Sequence, residues 1–470
     1  MILVMVVSDA PLEQQIFGKN GRGLGFLTEV SLLVVILIAT RYAEYNKINL
    51  LINGVVVSAF ITSCYSILQR YQLDVFGWVS RTNGIIGTLG NPNFQSAIAA
   101  IALVPAMMLF RNNNLKIKIT SIISVIVFSY TIYICQSTQG YLIFGISVCL
   151  ITLIFLWYRN IILFFFFLVL TLLSGITAIL GMLNLGPLST LLYKVSIRSR
   201  GEFFRTAISA AKDNPIFGVG LDSFGDVSTL YKSAKDAAGV NEFTDNAHNY
   251  FLNYAVNGGF FLAILYFMIT LLAFISMLRV QQRVGKFDLK LGAIFCFWFG
   301  FQSQSLISPG TIPILLLGSI LNGTLIGLSV WGIKKSHDPI SSNSLFKPFS
   351  YFLVSIGVMI CYPYFNVDRL QLKSLNTGDG ILAVKIALSY PESTLRYQRI
   401  GNALLESNLG EQALEVGRAA VEFNPNSISA WGLILANSTA PIQERQKALK
   451  ELLRLDPFNP EIRKLESLIK

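Results

Sequence analysis

Repeated apolar runs of about 20 residues constrain this chain more than any other feature. A helix of that length crosses the hydrocarbon core of a bilayer, which is about 30 Å thick. It also satisfies its own backbone hydrogen bonds, as a spanning segment must. Such runs occur near residues 24–40, 48–69, 94–110, 119–136, 139–157, 160–182, 249–278, 290–307, 311–331 and 349–365. We therefore predict an all-α, polytopic helical membrane protein of about ten spans.

Composition excludes a soluble globular protein. The 470 residues are 53% hydrophobic and only 13% charged, against about 25% charged in soluble domains. All five cysteines fall inside apolar runs without CxxC spacing. We expect them to be small core residues, since neither a disulfide framework nor a metal site has that pattern.

The net charge of +11 suggests nucleic acid at first, but it is divided among short connections, as the positive-inside rule requires of a membrane protein. The richer set of connections holds Arg41, Lys47, Arg111, Lys116, Lys118, Arg159, Arg279, Arg283, Lys286, Lys290, Lys334, Lys335 and Lys347. This set is expected in the cytoplasm. The long connection 183–248 and the residues after 366 are then extracytoplasmic, and no nucleic-acid partner is predicted.

Four regions follow from this pattern. We predict an N-terminal membrane bundle over 1–182, a large outer loop over 183–248, a second bundle over 249–366 and a C-terminal helical domain over 376–470. Residues 1–8 are apolar but too short to span. We expect them to be the tail of a membrane helix on a chain truncated at its N-terminus.

The C-terminal domain carries a repeat. Pro391, Pro425 and Pro457 are spaced 34 and 32 residues apart and are expected to end helices. Tetratricopeptide offsets are matched by Tyr397, Gly401, Ala413, Ala420 and Pro425, and Trp431 begins a second unit. About two and a half repeats are predicted, close to the minimum that buries a shared core. Protein docking is the default role of such an array.

The outer loop is the candidate functional region because it is far longer than an ordinary connection. Arg198 and Arg200 open it and His248 closes it, at the start of the next span. From the residues alone, a histidine at a helix start is more often a cap than a catalyst, and arginines in an outer loop commonly meet lipid headgroups. The acidic residues show no metal-ligand spacing with His248; they are Asp222, Asp226, Asp245 and Glu242. The glycine-rich GVGLDSFG follows no strand, so it is not a nucleotide site.

Two further outer stretches are rich in turn residues. RTNGIIGTLGNPNF, from Arg81 to Phe94, contains Asn91 and Asn93, which ordinary turn and helix-start preferences explain. FGKNGRG, around Arg22, is most simply a solvated turn.

Four blocks carry a family resemblance: FGKNGRGLGFLT at 17–28, GTLGNPNF at 87–94, RGEFFRTAISAAKDNPIFGVGLDSF at 200–224 and AHNYFLNYAVNGGF at 247–260. Together they resemble the O-antigen ligase and polymerase family over most of residues 9–335, and the C-terminal repeats resemble those appended in some subfamilies. The resemblance implies a GT-C-type glycosyltransferase of the bacterial inner membrane. Such enzymes move a glycan from undecaprenyl diphosphate to an acceptor on the outer face, without a metal or other cofactor.

The resemblance also implies roles for individual residues. Arg200 corresponds to the family's diphosphate-binding arginine, and a guanidinium suits that task because it stays charged and forks onto two oxygens. Arg198 and Arg81 are second candidates for diphosphate binding, because both are positively charged and expected on the outer side. His248 corresponds to the general base that takes the acceptor's proton, with Asn249 orienting it or capping the helix. Asn91 and Asn93 are supporting candidates.

Two departures from the family pattern matter for the site. Gln139 stands where the family often has another arginine, so Arg81 is expected to substitute for it. The family's tryptophan shortly after the loop arginine is replaced by Phe203 or Phe204.

Several functions remain open. The acceptor could be lipid A core, a growing glycan or a protein hydroxyl, which corresponds to a ligase, a polymerase or a protein O-oligosaccharyltransferase. A solute transporter using the in-span Gln302 and Gln304 is the alternative from another class, although no internal repeat of broken helices is visible. A scaffold that displays the repeats to a partner is the third possibility.

Overall fold

The computed structural model describes residues 1–77, 84–111, 113–237, 243–331 and 346–469. The structure is 77% helical, and the described residues contain no β-strand. This confirms the predicted all-α membrane class. Arg81, Glu242 and His337 lie outside the described residues.

The helices follow one another along the chain with mostly short connections. In order they are α1 Ile2–Val7, α2 Leu12–Phe17, α3 Phe26–Tyr42, α4 Ile48–Arg70, α5 Pro92–Leu109, α6 Leu115–Ile134, α7 Thr138–Arg159, α8 Ile161–Met182, α9 Ser189–Leu192, α10 Val195–Asp213, α11 Phe224–Val227 and α12 Ala234–Ala237. They continue with α13 Tyr250–Val284, α14 Leu289–Ile307, α15 Ile312–Trp331, α16 Phe346–Thr377, α17 Gly380–Ala387, α18 Thr394–Glu406, α19 Gly410–Phe423, α20 Ile428–Ala436, α21 Ile442–Leu455 and α22 Pro460–Ile469. Short 3₁₀ turns occupy Tyr45–Lys47 and Gly87–Leu89.

Among the described residues, seven helical segments are long and apolar enough to cross a membrane: Tyr45–Arg70, Pro92–Leu109, Leu115–Ile134, Thr138–Arg159, Ile161–Met182, Tyr250–Val284 and Ile312–Val330. Each coincides with a predicted span. The other three predicted spans coincide with α3, α14 and α16, so the total of ten remains a prediction.

The residues divide into two compact units, one of which comprises Ser31–Ile197 and Tyr266–Ser336. Within it α5 is central, and its alanines Ala97, Ala99, Ala100, Ala102 and Ala106 are fully buried. Small side chains let neighbouring helices approach closely, which is how membrane helices pack without a hydrophobic driving force. By contrast, α8 leaves apolar side chains such as Phe166 exposed, as expected of a face that meets lipid.

Helix α3 packs against α15 of the same bundle through a small-residue stripe. A β-carbon on Gly323 would collide with the carbonyl oxygen of Ile36, and one on Gly327 would collide with that of Thr40. Glycines four residues apart lie on one helix face, and their missing side chains permit this backbone contact. The contact supports α3 as a member of the membrane bundle.

The other unit comprises Met1–Val30, Arg198–Leu265 and His337–Lys470. The apolar face of α10 recurs every three or four residues and is buried at Phe203, Ala207, Ala210 and Ala211, which is the spacing of one helix stripe. It packs with Phe224, Ala247, Ala255 and Val256 into one core. This core joins the two ends of the long loop.

A kink at Gly259 shapes the end of that loop. Gly259 has φ of 77° and ψ of 173°, which interrupts α13, and a β-carbon there would collide with the carbonyl oxygen of Ile216. The amide of Phe260 donates to Pro215 O at 2.8 Å, and that of Val219 donates to Val256 O at 2.9 Å. The kink therefore docks the middle of the loop onto the beginning of α13.

The C-terminal helices α17 to α22 form antiparallel hairpins within this unit. Tyr397, Ala413 and Ala420 are buried in their shared core, and a β-carbon on Gly401 would collide with the side chain of Leu433. The positions chosen by the repeat pattern are thus contact positions. Assignment of the hairpins to the tetratricopeptide class remains a prediction.

Candidate active site

His248 lies in the turn that enters α13. Its backbone has φ of 52°, a left-handed conformation that costs a non-glycine residue about 1–2 kcal/mol. Its amide donates to Asn246 Oδ1 at 3.0 Å. The side chain of Asn249 accepts the amide of Leu252 at 3.0 Å and so caps the helix. These contacts fix the backbone of the turn and therefore the direction in which the imidazole projects.

The imidazole packs against Phe203 of α10, with ring centroids 4.8 Å apart and an interplanar angle of 38°. Phe203 is therefore the aromatic residue beside the candidate base, rather than Phe204. Residues three apart share a helix face, so the same face of α10 carries Arg200. The imidazole Nδ1 is buried and has no hydrogen-bond partner within the described part of the chain.

The environment keeps His248 neutral. Burial, followed by the positive charges of Arg200 and Arg22, lowers its pKa to about 4, and Asp245 acts in the opposite direction. Burial also lowers the pKa of Arg200, although a guanidinium stays protonated at neutral pH. The structure thus places a neutral imidazole in the electrostatic field of two guanidinium groups. Arg200 was predicted from the sequence as a site residue, and Arg22 was not.

The N-terminal segment supplies the second guanidinium. Arg22 donates to Asp245 through Nε at 2.8 Å and through Nη2 at 2.5 Å, and its side chain is only 18% exposed. The interpretation of FGKNGRG as a solvated turn was therefore wrong. The signal that could have identified Arg22 was present, because this block is one of the four that carry the family resemblance.

Asp222 and Asp226 of the loop are engaged by this same segment. Asp226 accepts from Lys19 Nζ at 2.8 Å and from Gln14 Nε2 at 2.7 Å. Asp222 accepts the amide of Lys19 at 2.7 Å, while its burial raises its pKa to about 6. Together with the pair of Arg22 and Asp245, these bonds fasten the first outer segment to the main loop.

A buried carboxylate also holds the start of α13. Glu29 accepts from Tyr250 Oη at 3.0 Å and from Tyr254 Oη at 2.5 Å. The tyrosines lie 221 and 225 residues away in sequence, so no local sequence pattern connects them with Glu29. Because Tyr250 is two residues beyond His248, this cluster positions the turn that carries the imidazole.

The remaining candidates occupy other environments. Arg198 is exposed and its Nε lies 3.5 Å from Glu202 Oε1. Asn91 accepts the amide of Asn93 at 2.8 Å and caps α5, and Asn93 Oδ1 accepts from Ser137 at 2.7 Å. Both asparagines belong to the other unit. Arg81 lies outside the described residues.

Gln139, where the family often has another arginine, is engaged within the membrane bundle. Gln139 accepts from Ser308 at 2.9 Å and donates to Gln304, so it serves the packing of the bundle. The second guanidinium beside His248 is Arg22.

Replacing Asp245 by asparagine should lower the stability of the loop by about 1 kcal/mol, because the pair with Arg22 is only partly buried. We expect the midpoint of thermal unfolding to fall by about 2–4 °C. The matched control is Glu461→Gln, which removes the acid of a fully surface-exposed pair with Lys464. Thermal unfolding of the purified variants in detergent tests this, and equal midpoints would contradict the proposed fastening.

Comparison with known families matches residues 122–267 to the family model described as O-antigen ligase. The matched segment includes Arg200, Phe203 and His248. No curated protein matches the chain. The match supports the O-antigen ligase family and a membrane glycosyltransferase-like function in O-antigen or polysaccharide processing. With the apolar helices, it also indicates a multi-pass membrane protein.

Proposed function

We propose that this protein transfers a glycan from undecaprenyl diphosphate to an acceptor hydroxyl at the outer face of the bacterial inner membrane. The observation that carries the proposal is the neutral imidazole of His248 in the field of the guanidinium groups of Arg200 and Arg22. A base beside two anion-binding groups is what this substitution requires, since a proton is removed while a diphosphate departs.

In the proposed step the acceptor oxygen attacks the anomeric carbon. A new carbon–oxygen bond forms, and the bond from that carbon to the diphosphate oxygen breaks. The electron pair leaves with undecaprenyl diphosphate, whose charge Arg200 and Arg22 stabilise. The acceptor proton passes to the imidazole of His248. All atoms are accounted for without a metal or cofactor, and the carboxylates of Asp226 and Asp245 are engaged by Lys19, Gln14 and Arg22.

The same charges make the base dependent on the donor. In the enzyme without donor, the His248 imidazole has a pKa of about 4 and is a weak base at neutral pH. A bound diphosphate would offset the two positive charges and raise that pKa, because a nearby anion favours the imidazolium. His248 would then become an effective base only when the donor is in place.

The acceptor remains open between lipid A core, a growing glycan and a protein, so ligase, polymerase and protein O-oligosaccharyltransferase all fit. The outer repeats favour recruitment of a protein or an assembled surface complex. This role depends on the orientation predicted by the positive-inside rule, in which the long loop and the residues after 366 are extracytoplasmic. Of the two in-span glutamines behind the transporter alternative, Gln304 is bonded to Gln139 within the bundle, which gives it a packing role.

Deletion of the gene tests the proposal. Lipid-linked glycan should accumulate, because its donor is no longer consumed, and expression of the wild-type chain should restore the normal pool. The matched control is expression of His248→Ala at equal membrane level, which should leave the accumulation in place. An unchanged lipid-linked pool together with altered solute uptake would instead support a transporter.

A further inference from the structure

A cavity of about 400 Å³ lies at the side of the loop, within the unit that contains His248. Three separated parts of the chain line it: residues 7–11, residues 214–231 and the pair Asn424 and Asn426 of the C-terminal hairpins. Its volume falls in the range of about 300–1,000 Å³ that is typical of small-molecule sites.

Among the described residues, the lining contains no lysine or arginine and includes Asp9 and Asp226. Asp226 is paired with Lys19 just outside this lining, so the described lining itself offers an anionic ligand such as a diphosphate no positive group. The donor's phosphates belong with Arg200 and Arg22, and the cavity suits a neutral polar ligand.

Several uncharged polar groups at the cavity have bonding capacity left. Asn214 Nδ2 donates to Tyr231 Oη at 2.9 Å, which leaves the phenol proton available to a ligand. Asn426 Oδ1 accepts from Arg454 at 3.3 Å, which leaves the amide NH₂ of Asn426 as a donor. Each hydroxyl of a sugar both donates and accepts, so it matches such mixed groups.

Apolar surface lies beside these polar groups. The side chains of Ile216 and Leu230 are 53% and 38% exposed, and Phe217 and Tyr231 contribute aromatic rings to the lining. A pyranose has an apolar C–H face and polar edges. The combination of amides, a phenol and aromatic surface is therefore chemically complementary to it.

Electrostatic interactions connect one residue of the cavity lining with the candidate catalytic groups. Asp226 lines the cavity and pairs with Lys19, Lys19 interacts with Asp245, and Asp245 acts on His248. The C-terminal hairpins are held beside the loop by Thr229 Oγ1, which donates to Leu455 O at 2.8 Å.

We infer that the cavity is a binding subsite for one uncharged sugar residue of a glycan substrate. The choice of a glycan rests on the proposed function, whereas the exclusion of an anion rests on the lining alone. The C-terminal hairpins then contribute directly to substrate recognition through Asn426.

Saturation-transfer NMR on the full chain in nanodiscs tests the subsite. The probes are free glucose, galactose, mannose, rhamnose, N-acetylglucosamine and N-acetylgalactosamine. At least one should bind the wild type. Leu230→Trp, which fills the cavity, should weaken binding by about tenfold or more, and Asn426→Ala by about fivefold to tenfold, as expected for one lost hydrogen bond. The control Asn402→Ala removes an exposed asparagine of α18 that does not line the cavity and should bind normally.

The outcomes separate this inference from the proposed function. His248→Ala should still bind the probe, since binding needs no catalysis. Displacement of the probe by lipid-linked glycan recovered from the deletion strain would place the donor's sugar in the cavity, and persistence of the probe would place the acceptor's sugar there. If no probe binds, or if folded Leu230→Trp binds as well as the wild type, the subsite is refuted, even where transfer itself is intact.

Discussion

Replacing His248 by alanine should reduce glycan transfer by about 10²–10⁴-fold, the usual contribution of a positioned general base. The imidazole projects from a turn fixed by Asn246 and Asn249 and packs on Phe203, so few other groups can replace it. The measurement is transfer by variants that insert in the membrane at the wild-type level.

The other histidine of the chain, His337, provides the matched control. His337→Ala should leave transfer intact, because that residue falls in a basic connection predicted to be cytoplasmic. Wild-type transfer by His248→Ala would remove the proposed base. Equal losses in both variants would point to an effect on expression or folding instead.

The pH dependence of transfer should also reflect the protonation state of His248. In the free enzyme the acid limb of kcat/KM should lie near pH 4, because the pKa of His248 is held at about 4 and only the neutral imidazole is a base. The limb of kcat should lie at higher pH, since the bound donor's negative charge raises that pKa. kcat/KM reports the free enzyme and kcat the complex. Coincident limbs would contradict activation by the donor.

The sequence was sufficient to predict the membrane helices because each span depends on local hydropathy. Each of the ten predicted spans coincides with a helix, and the boundaries differ mainly where a helix continues into polar residues, as α13 does to Val284. The kink at Gly259 within α13 was not predicted. NGGF permits a break, but the carbonyl of Ile216, distant in sequence, is what occupies the space.

The site was predictable only where the resemblance carried residues over. Arg200 and His248 were named as candidates in that way, and the charge of Arg200 lowers the pKa of His248 in the structure. Arg22 was missed because its partner, Asp245, lies 223 residues away, and Glu29 was missed for the same reason. The choice between Phe203 and Phe204 depends on helical phase, which the packed position of α10 determines. Contacts between distant segments, rather than local pattern, therefore complete the site.

Replacing Arg200 by alanine should reduce transfer by about 10²–10³-fold, the magnitude observed when one preorganised group that stabilises developing negative charge is removed. Arg200→Lys should recover only part of the loss, because an ammonium group cannot fork onto two phosphate oxygens. The control is Arg198→Ala, two residues earlier on the same helix, whose exposed side chain pairs with Glu202; we expect little loss there.

A second measurement distinguishes loss of charge from loss of structure. Because Arg200 lowers the pKa of His248, its removal should raise that pKa and shift the acid limb of kcat/KM to higher pH. The chain has only two histidines, so NMR titration of labelled histidine can follow the shift directly, with His337→Ala to assign the signals. Arg198→Ala should leave the titration of His248 close to that of the wild type. A folded Arg200→Ala variant with an unshifted His248, or with full transfer, would show that this guanidinium does not act on the imidazole or on the leaving diphosphate.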